Sequence, residues 1–238
     1  MTFSRFFDIL FSAVILLFSS PVILPILLIV YLQDFCNPFY VSSRVGYKSV
    51  PFKMLKIRSM VVNADATGVS STSSTDQRIT PVGKFIRRYK LDELSQFINV
   101  LLGSMSVVGP RPNVIDEVNL YTNLELTLLS VKPGITDLSS IVFSDEGTIL
   151  SDSSDPDLDY NQLIRPLKSR LGIFYISKKC FTMDILVIIS TVVSLFSRQL
   201  SLKLVASILL LFDAPSSEGV STKVVAIEAY VLDEEKKA

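Results

Sequence analysis

The sequence predicts a mainly α-helical protein with a small β element, held on a membrane through its N-terminal segment. No charged residue interrupts the stretch from Ile9 to Leu32, which is long enough to enter or span a bilayer as a helix. Apolar residues recur at helical spacing from Lys90 to Leu102, whereas Val50 to Met60 is typical of a short strand. We therefore divide the chain into a membrane helix (1–34), a cytosolic domain (35–180), membrane-associated helices (181–212) and a tail without an assigned role (213–238).

The composition favours membrane contact and excludes several kinds of chemistry. Hydrophobic residues make up 49% of the chain and the mean hydropathy is +0.45, both high for a wholly soluble protein. The 23 basic and 23 acidic residues cancel, so no overall charge points to a nucleic acid partner. There is no histidine, which excludes Ser-His-Asp triads, histidine acid–base catalysis and HExxH zinc sites. Cys36 and Cys180 fit no zinc or disulfide pattern, so an enzyme of this composition would depend on carboxylates, cations, hydroxyls or a hard ion such as Mg²⁺.

The N-terminal apolar block carries a feature that a simple spanning helix does not need. Ser20-Pro21 lies at its middle and Pro25 follows on the same face, so the helix is expected to bend sharply there. The block is too long, and its flanking basic region too weak, for a cleaved signal peptide. The cations that follow place its C-terminal side in the cytoplasm. A re-entrant helix and a bent spanning helix both remain open from the residues alone.

The segments between this block and the helix at Lys90–Leu102 offer cations and a loop. The residues from Val50 to Met60 predict a strand that carries Lys56, with Arg58 close by, and that could present these cations to a polyanion. The alternative is an edge strand whose lysines are simply solvated. Asn63 to Thr80 is rich in small polar residues without periodicity, which predicts a loop that acts as a lid or a tether.

The helix predicted from Lys90 to Leu102 begins with two adjacent carboxylates, Asp92 and Glu93. Negative charge in a first helical turn is favoured by the unpaired N–H groups, so the pair could simply stabilise the helix. Alternatively, the preceding cations Lys84, Arg87 and Arg88 lower the pKa of Asp92 and keep it ionised, which suits a nucleophile or a metal ligand.

Arg111 stands between Pro110 and Pro112, which restrict its backbone. An arginine held in this way suits bidentate binding of phosphate, although an arginine in a surface turn has the same local sequence.

Two apolar segments near the C-terminus, Ile185–Phe196 and Leu204–Phe212, are too short to span a bilayer singly. We interpret them as helices at the membrane interface, the alternative being core helices of the globular part. The preceding Asp157–Ile176 is expected to be helical on both sides of Pro166.

Taken together, the motifs resemble those of the bacterial sugar transferases, the small monotopic phosphoglycosyl transferases. The resemblance covers roughly residues 4 to 200 and its motifs occur in the family's order. They are Arg44-Val45-Gly46, Phe52-Lys53, Lys56, Arg58-Ser59-Met60, Asp76-Gln77-Arg78-Ile79-Thr80, Gly83, Ile86-Arg87-Arg88, Leu91-Asp92-Glu93-Leu94, Gln96, Asn99-Val100-Leu101, Gly103, Met105-Ser106, Val108-Gly109-Pro110-Arg111-Pro112 and Pro133-Gly134-Ile135-Thr136.

The resemblance implies an enzyme that moves a sugar 1-phosphate from a nucleotide sugar, usually a UDP-sugar, to polyprenol phosphate and releases UMP. It implies that Asp92 is the nucleophile of a covalent phosphosugar intermediate, that Glu93 is its partner in holding Mg²⁺ or in orienting the phosphate, and that Ser20-Pro21 breaks a re-entrant helix. It also implies a monotopic protein of the bacterial inner membrane, with a cytoplasmic active site, lipid contacts and downstream glycosyltransferases as candidate partners. For binding substrate phosphate we expect Lys56, Arg58, Arg87, Arg88 and Arg111.

The sequence departs from the family pattern at three places. Ser104 stands where aspartate is common, and Ser42 where many members have glutamine. Asp145 falls near an expected arginine, which points to different contacts on the sugar side. A membrane-anchored scaffold that binds partners or anionic lipid is the second hypothesis, but it needs neither Asp92-Glu93 nor Arg111. A spanning receptor or transporter component is disfavoured because no further span is predicted.

Overall fold

The computed structural model describes residues 3–64, 76–144, 158 and 160–212, which form helices and two small sheets. Part of the predicted loop (65–75), Asp145 and the 213–238 tail lie outside these residues. The helices are α1 (Phe3–Leu32), α2 (Pro81–Arg88), α3 (Gln96–Leu102), α4 (Ile115–Val118), α5 (Leu138–Val142), α6 (Arg165–Ser177), α7 (Phe181–Ser194) and α8 (Arg198–Phe212). The strands are β1 (Phe39–Val45), β2 (Pro51–Ile57), β3 (Ser106–Val108) and β4 (Gly134–Thr136). Short 3₁₀ turns occupy Tyr47–Ser49, Leu91–Glu93 and Glu125–Ser130, and a π turn occupies Tyr160–Ile164.

Helix α1 continues without interruption through Pro21 and Pro25, so the prediction that Ser20-Pro21 separates two helices is wrong. Proline at 21 cannot donate the N–H that would bond the carbonyl of Leu17. The hydroxyl of Ser20 donates to that carbonyl instead, at 2.7 Å, and the hydroxyl of Ser19 donates to the carbonyl of Ile15 at 2.6 Å. The Ser20 hydroxyl therefore takes the place of the donor lost at Pro21, and one helix runs from Phe3 to Leu32. A sharp bend of this helix at the prolines stays a prediction.

The two halves of α1 contact the same folded body. In the N-terminal half, Arg5 donates to the carbonyls of Val100 (2.5 Å) and Leu101 (2.9 Å), which lie in the last turn of α3 where a cation is favourable. Nearby, Asp8 accepts from the hydroxyl of Ser106 at 2.8 Å and from the amide of Val107 at 3.0 Å.

The C-terminal half of α1 packs through Ile23, Ile26 and Val30 against Ile57 and Ile86. Between the two contact regions, the side chains of Leu17 and Phe18 are 70% and 77% exposed. Among the described residues, α1 is the helix that is long and apolar enough to cross a membrane.

The predicted strand is confirmed as β2, which pairs antiparallel with β1 in the register Phe39↔Ile57 to Val45↔Pro51. The other edge of β2 is covered by side chains of the following helical segment. Asn99 donates to the carbonyl of Lys53 at 2.7 Å and accepts from the amide of Leu55 at 2.9 Å, while Ser95 donates to the carbonyl of Leu55 at 3.1 Å. The backbone of β2 is thus held from both sides, as a site built on it requires.

The single helix predicted from Lys90 to Leu102 is divided. Leu91–Glu93 form a separate 3₁₀ turn after Lys90, which adopts left-handed backbone angles (φ 52°), and α3 begins only at Gln96. The polar stripe of this segment is buried, because Asn99 and Ser95 bond β2 and Gln96 is only 1% exposed. Asp92 and Glu93 are therefore in a tight turn in front of a helix rather than in its first turn.

Helices α7 and α8 contribute to the main hydrophobic core, together with α3, β3, α5 and α6. Four of their side chains are almost fully buried in it: Met183, Val187, Leu202 and Val205. For one face of each helix this confirms the alternative prediction, that these segments are core helices of the globular part. On their other faces large apolar side chains are exposed, with Phe196 at 86% in the turn between them. Location at the membrane interface stays a prediction for these outer faces. The predicted helix around Pro166 is observed as the π turn and α6.

Candidate active site

Side chains from three separate parts of the chain meet at the turn Leu91–Glu93. Lys56 extends from β2, Asp92 and Glu93 belong to the turn itself, and Arg111 follows β3. The amide of Gly134 in β4 donates to the carbonyl of Pro110 at 3.0 Å, which fixes the residue before Arg111. This contact needs two glycines, because a Cβ on Gly134 would lie 2.1 Å from the amide nitrogen of Gly109.

The acidic pair is held between two cations. The ammonium of Lys56 lies 4.0 Å from a carboxylate oxygen of Asp92 and 3.9 Å from one of Glu93. The guanidinium of Arg111 donates to the same Glu93 oxygen and, at 3.5 Å, to the carbonyl of Ile135. The structure therefore brings Arg111 and Lys56, two of the predicted phosphate-binding residues, to the acidic pair. Their binding of phosphate stays a prediction.

The two carboxylates have opposite electrostatic character. Burial by itself would raise the pKa of Glu93, but Arg111 and Lys56 overcome it and lower that pKa to about 2. Glu93 in turn raises the pKa of Arg111. Glu93 is consequently a permanently charged partner that holds the arginine in position.

Burial raises the pKa of Asp92 above its ordinary value, and Glu93 adds to this, while Lys56, Arg87 and Arg111 oppose it. The sequence predicted a lowered pKa, and this prediction is wrong because desolvation of the carboxylate outweighs the surrounding cations. Of the two carboxylates, Asp92 is therefore the more basic, and the neighbouring cations stabilise its negative charge less than that of Glu93. Both properties are expected of the nucleophile.

Lys56 is desolvated as well. Burial and the neighbouring cations Arg111 and Arg44 lower its pKa, whereas Glu93 and Asp92 raise it. Its charge therefore depends on the acidic pair.

Arg44 belongs to this cluster although we did not select it from the sequence as a site residue. It lies on β1, where the register places it on the same face of the hairpin as Lys56. Burial lowers its pKa, Glu117 raises it and Arg111 lowers it further. Its Nε lies 3.4 Å from the hydroxyl of Ser42, and none of the described residues forms an ion pair with it within 4 Å. The Arg44-Val45-Gly46 motif was the sequence signal that could have identified Arg44 as a site residue. The motif alone does not show that Arg44 and Lys56 lie on the same face of the hairpin.

The other predicted phosphate-binding residues are not all at the site. Arg58 forms a bidentate ion pair with Asp34 (2.7 and 2.6 Å) and donates to the carbonyl of Val30 at 3.3 Å, so it connects β2 to the end of α1. Arg87 is close enough to lower the pKa of Asp92. Arg88 is exposed, with its guanidinium 5.7 Å from the centroid of the Tyr89 ring.

The described residues contain no group of three or more potential metal ligands of the His, Cys, Asp or Glu type. Asp92 and Glu93 nevertheless fit Mg²⁺ that is carried by a substrate, because this ion commonly takes one or two protein carboxylates and completes its shell with phosphates and water. The donor set does not fit a metal ion held by protein side chains alone.

Comparison with known proteins gives consistent matches. The model of the family described as "Bacterial sugar transferase" matches residues 1–198. The UDP-glucose:undecaprenyl-phosphate glucose-1-phosphate transferase of Klebsiella pneumoniae is 41% identical over 144 residues, which are 59% of this chain and 31% of that protein. The exopolysaccharide production protein ExoY of Rhizobium meliloti is 38% identical over 152 residues, 58% of this chain and 67% of ExoY. The chain thus spans less than a third of the first relative and about two thirds of the second.

Proposed function

Because this chain belongs to the bacterial sugar transferase family, we propose that it transfers a sugar 1-phosphate from a UDP-sugar to polyprenol phosphate and releases UMP. The observation that carries the proposal is the cluster of Asp92 and Glu93 with Lys56 and Arg111. Phosphoryl transfer requires chiefly positioning and charge neutralisation, which such a cluster provides without histidine. The named activity of the Klebsiella pneumoniae relative, on UDP-glucose and undecaprenyl phosphate, is of the same kind.

The reaction proceeds in two displacements at one phosphorus atom. In the first, a carboxylate oxygen of Asp92 attacks the phosphorus that bears the sugar, the bond to the UMP phosphate oxygen breaks, and UMP leaves with the electron pair. In the second, an oxygen of polyprenol phosphate attacks the same phosphorus, and the Asp92 carboxylate is released. The acyl phosphate between the two steps is reactive enough to be passed on, so both substrates need not bind together.

The cations of the cluster have distinct tasks. Arg111 is oriented by Glu93 and by the flanking prolines, so that its remaining N–H groups can grip phosphate oxygens. Lys56 balances the charge of Asp92 and of the incoming phosphate. With Mg²⁺ bound through Asp92 and Glu93, the ion would supply further neutralisation of the diphosphate.

The proposed function is tested by incubating membranes that contain the protein with UDP-sugars, Mg²⁺ and polyprenol phosphate and measuring UMP. We expect UMP release that requires the protein. Absence of release with every nucleotide sugar would instead favour a membrane-anchored scaffold.

Arg44→Gln is expected to raise the KM for the UDP-sugar and to lower kcat/KM by about 10- to 100-fold, since a hydrogen bond to a charged group contributes about 1.5–3 kcal/mol. The reason is that Arg44 supplies a desolvated positive charge beside Arg111. Steady-state kinetics check this, with Arg170→Gln, a change of an exposed cation on α6, as the matched control. Unchanged kinetics of the Arg44 variant would remove Arg44 from the phosphate-binding cluster.

We further propose that α1 is re-entrant, so that both its ends and the active site are on the cytoplasmic face of the bacterial inner membrane. The contacts of Arg5 and Asp8 at one end, and of Val30 at the other, with one folded body support this arrangement. The exposed side chains of Leu17 and Phe18 would then reach deepest into the bilayer.

Labelling with an impermeant maleimide on cells or sealed vesicles tests this topology. Cys36 is exposed next to the C-terminal end of α1, so a Cys180→Ser variant reports that end. A Ser4→Cys variant without both native cysteines reports the other end, where residue 4 is exposed. We expect both positions to react from the cytoplasmic side only, and reaction from opposite sides would rule out re-entry.

A further inference from the structure

Helix α2 exposes an aromatic and cationic surface outside the cluster of Lys56, Asp92, Glu93 and Arg111. This α2 surface consists of Lys84, Phe85, Arg88 and Tyr89, all of them exposed. The rings of Phe85 and Tyr89 are each 53% exposed and their centroids lie 4.9 Å apart, while Arg88 stands over the Tyr89 ring. Two neighbouring rings left open to water in this way are unfavourable unless something covers them.

The opposite face of α2 is pressed against the membrane helix. Ile86 is fully buried and Val82 packs beside it, both in the cluster formed with Ile23, Ile26 and Val30 of α1. The segment that follows β2 also holds α2, because a Cβ on Gly83 would lie 1.8 Å from the carbonyl oxygen of Ser59. The α2 surface is therefore fixed beside the last turns of α1, and in the membrane topology proposed above it would lie next to the bilayer that α1 enters.

A second pair of exposed aromatic rings lies close to α2, at the C-terminal end of α1. Immediately beyond Val30, the exposed rings of Tyr31 and Phe35 pack edge to face, with centroids 5.7 Å apart. Aromatic rings concentrate at the headgroup level of membranes, and lysine and arginine extend their charged ends to the phosphates there. The composition of the α2 surface matches this layer in both respects.

We propose that the α2 surface lies in the headgroup layer of the membrane, with Phe85 and Tyr89 inserted among the lipids and Lys84 and Arg88 bound to anionic phospholipid headgroups. A basic residue close to an anionic membrane contributes about 1 kcal/mol. The chain passes from α2 through Lys90 directly into the turn Leu91–Glu93. Anchoring α2 therefore sets the height of the acidic pair above the lipids, whichever reaction the pair performs.

The absence of tryptophan from the chain allows a direct test. Phe85→Trp and Tyr89→Trp variants each carry a single tryptophan, on the α2 surface, whose emission can be excited apart from that of tyrosine. Tyr47→Trp, at the exposed end of the β1–β2 hairpin, is the matched control, and Phe18→Trp on α1 is the membrane-inserted reference. The full-length variants are reconstituted into nanodiscs of phosphatidylcholine and phosphatidylglycerol that contain lipids brominated either close to the headgroup or deep in the acyl chain.

We expect the shallow bromines to quench Phe85→Trp and Tyr89→Trp more strongly than the deep ones, and Tyr47→Trp to lose no fluorescence with either lipid. Phe18→Trp should show the reverse preference for depth. Replacing phosphatidylglycerol by phosphatidylcholine should weaken the shallow quenching. Adding Lys84→Gln and Arg88→Gln to the Phe85→Trp variant should remove that dependence on anionic lipid.

Two results would overturn the proposal. If both α2 variants behave like Tyr47→Trp and remain accessible to iodide, the α2 surface is open to water or to a partner other than lipid. If quenching is shallow but independent of anionic lipid and of Lys84 and Arg88, the rings insert and the assignment of the cations is wrong. Neither result depends on UMP release, so this test is separate from that of the transferase activity.

Discussion

Asp92→Asn is expected to abolish UMP release and to leave the folded protein at least as stable as the wild type. Removal of a nucleophile lowers kcat by on the order of 10³-fold or more, since the remaining groups of a site cannot replace the covalent step. With a UDP-sugar labelled in the phosphate next to the sugar, wild-type protein should retain label that hydroxylamine removes, and Asp92→Asn should retain none. Asp116→Asn, which changes an exposed carboxylate on α4, is the control and should keep full activity.

The stability of this variant follows from the sign of the pKa shift. The pKa of Asp92 is raised in the folded state, so folding favours its protonated form. This group therefore lowers the free energy of unfolding as pH rises from its unfolded pKa through its folded one. Asparagine imitates the neutral form and removes that penalty at pH 7, which thermal unfolding in detergent would detect.

Activity of the wild type should fall as pH decreases through the folded pKa of Asp92, whereas Glu93, with a pKa of about 2, does not titrate in that range.

Full activity in Asp92→Asn would exclude Asp92 as nucleophile. Loss of activity together with unfolding would contradict the assignment of the raised pKa to a buried, poorly compensated carboxylate.

Arg111→Met should lower kcat by roughly 10³-fold, the scale on which an arginine stabilises the transition state of phosphoryl transfer. It should also leave Glu93 with Lys56 as its remaining cationic neighbour within 4 Å among the described residues. Removing one partner of a fully buried ion pair costs about 3–5 kcal/mol. Here the side chains of Arg111 and Glu93 are 31% and 22% exposed, so we expect a smaller loss of unfolding free energy, of about 1–3 kcal/mol.

The pH dependence of stability distinguishes this effect from a general loss of packing. The lowered pKa of Glu93 contributes stability above pH 4.5, and that contribution is lost as pH falls towards 2. Without Arg111 the contribution is smaller at pH 7, so the variant and the wild type should converge in stability at low pH. Arg111→Lys keeps the charge and should give intermediate activity, because it lacks the planar fork. Near-wild-type kinetics of Arg111→Met would show that Arg111 does not contact the transferred phosphate.

The features that were predicted correctly depend on residues close together in the chain. The helical structure of the apolar block from Ile9 to Leu32 and the strand β2 are visible in hydropathy and in the local residue pattern. The local sequence around Arg111 predicted a fixed arginine, and the hydrogen bond from the amide of Gly134 to the carbonyl of Pro110 agrees with that prediction.

The features that were missed depend on contacts between distant residues. Arg44 joins Lys56 only through the register of β1 and β2. Arg58 is occupied by Asp34, which is 24 residues away in the chain. The pKa of Asp92 depends on how completely the surrounding elements exclude water, and a count of neighbouring cations does not measure that exclusion. The continuation of α1 past Pro21 is accompanied by a hydrogen bond from the Ser20 hydroxyl to the carbonyl of Leu17, which the proline alone does not predict.

The ion pair of Arg58 with Asp34 connects the strand that carries Lys56 to the long apolar helix α1. Arg58 follows β2 two residues after Lys56, and Asp34 follows α1 two residues after its last helical residue. The bidentate ion pair thus couples β2 to the C-terminal end of α1. With α1 in a membrane, as we propose, a thinner or thicker bilayer that changed its tilt would act through this ion pair on the strand that carries Lys56.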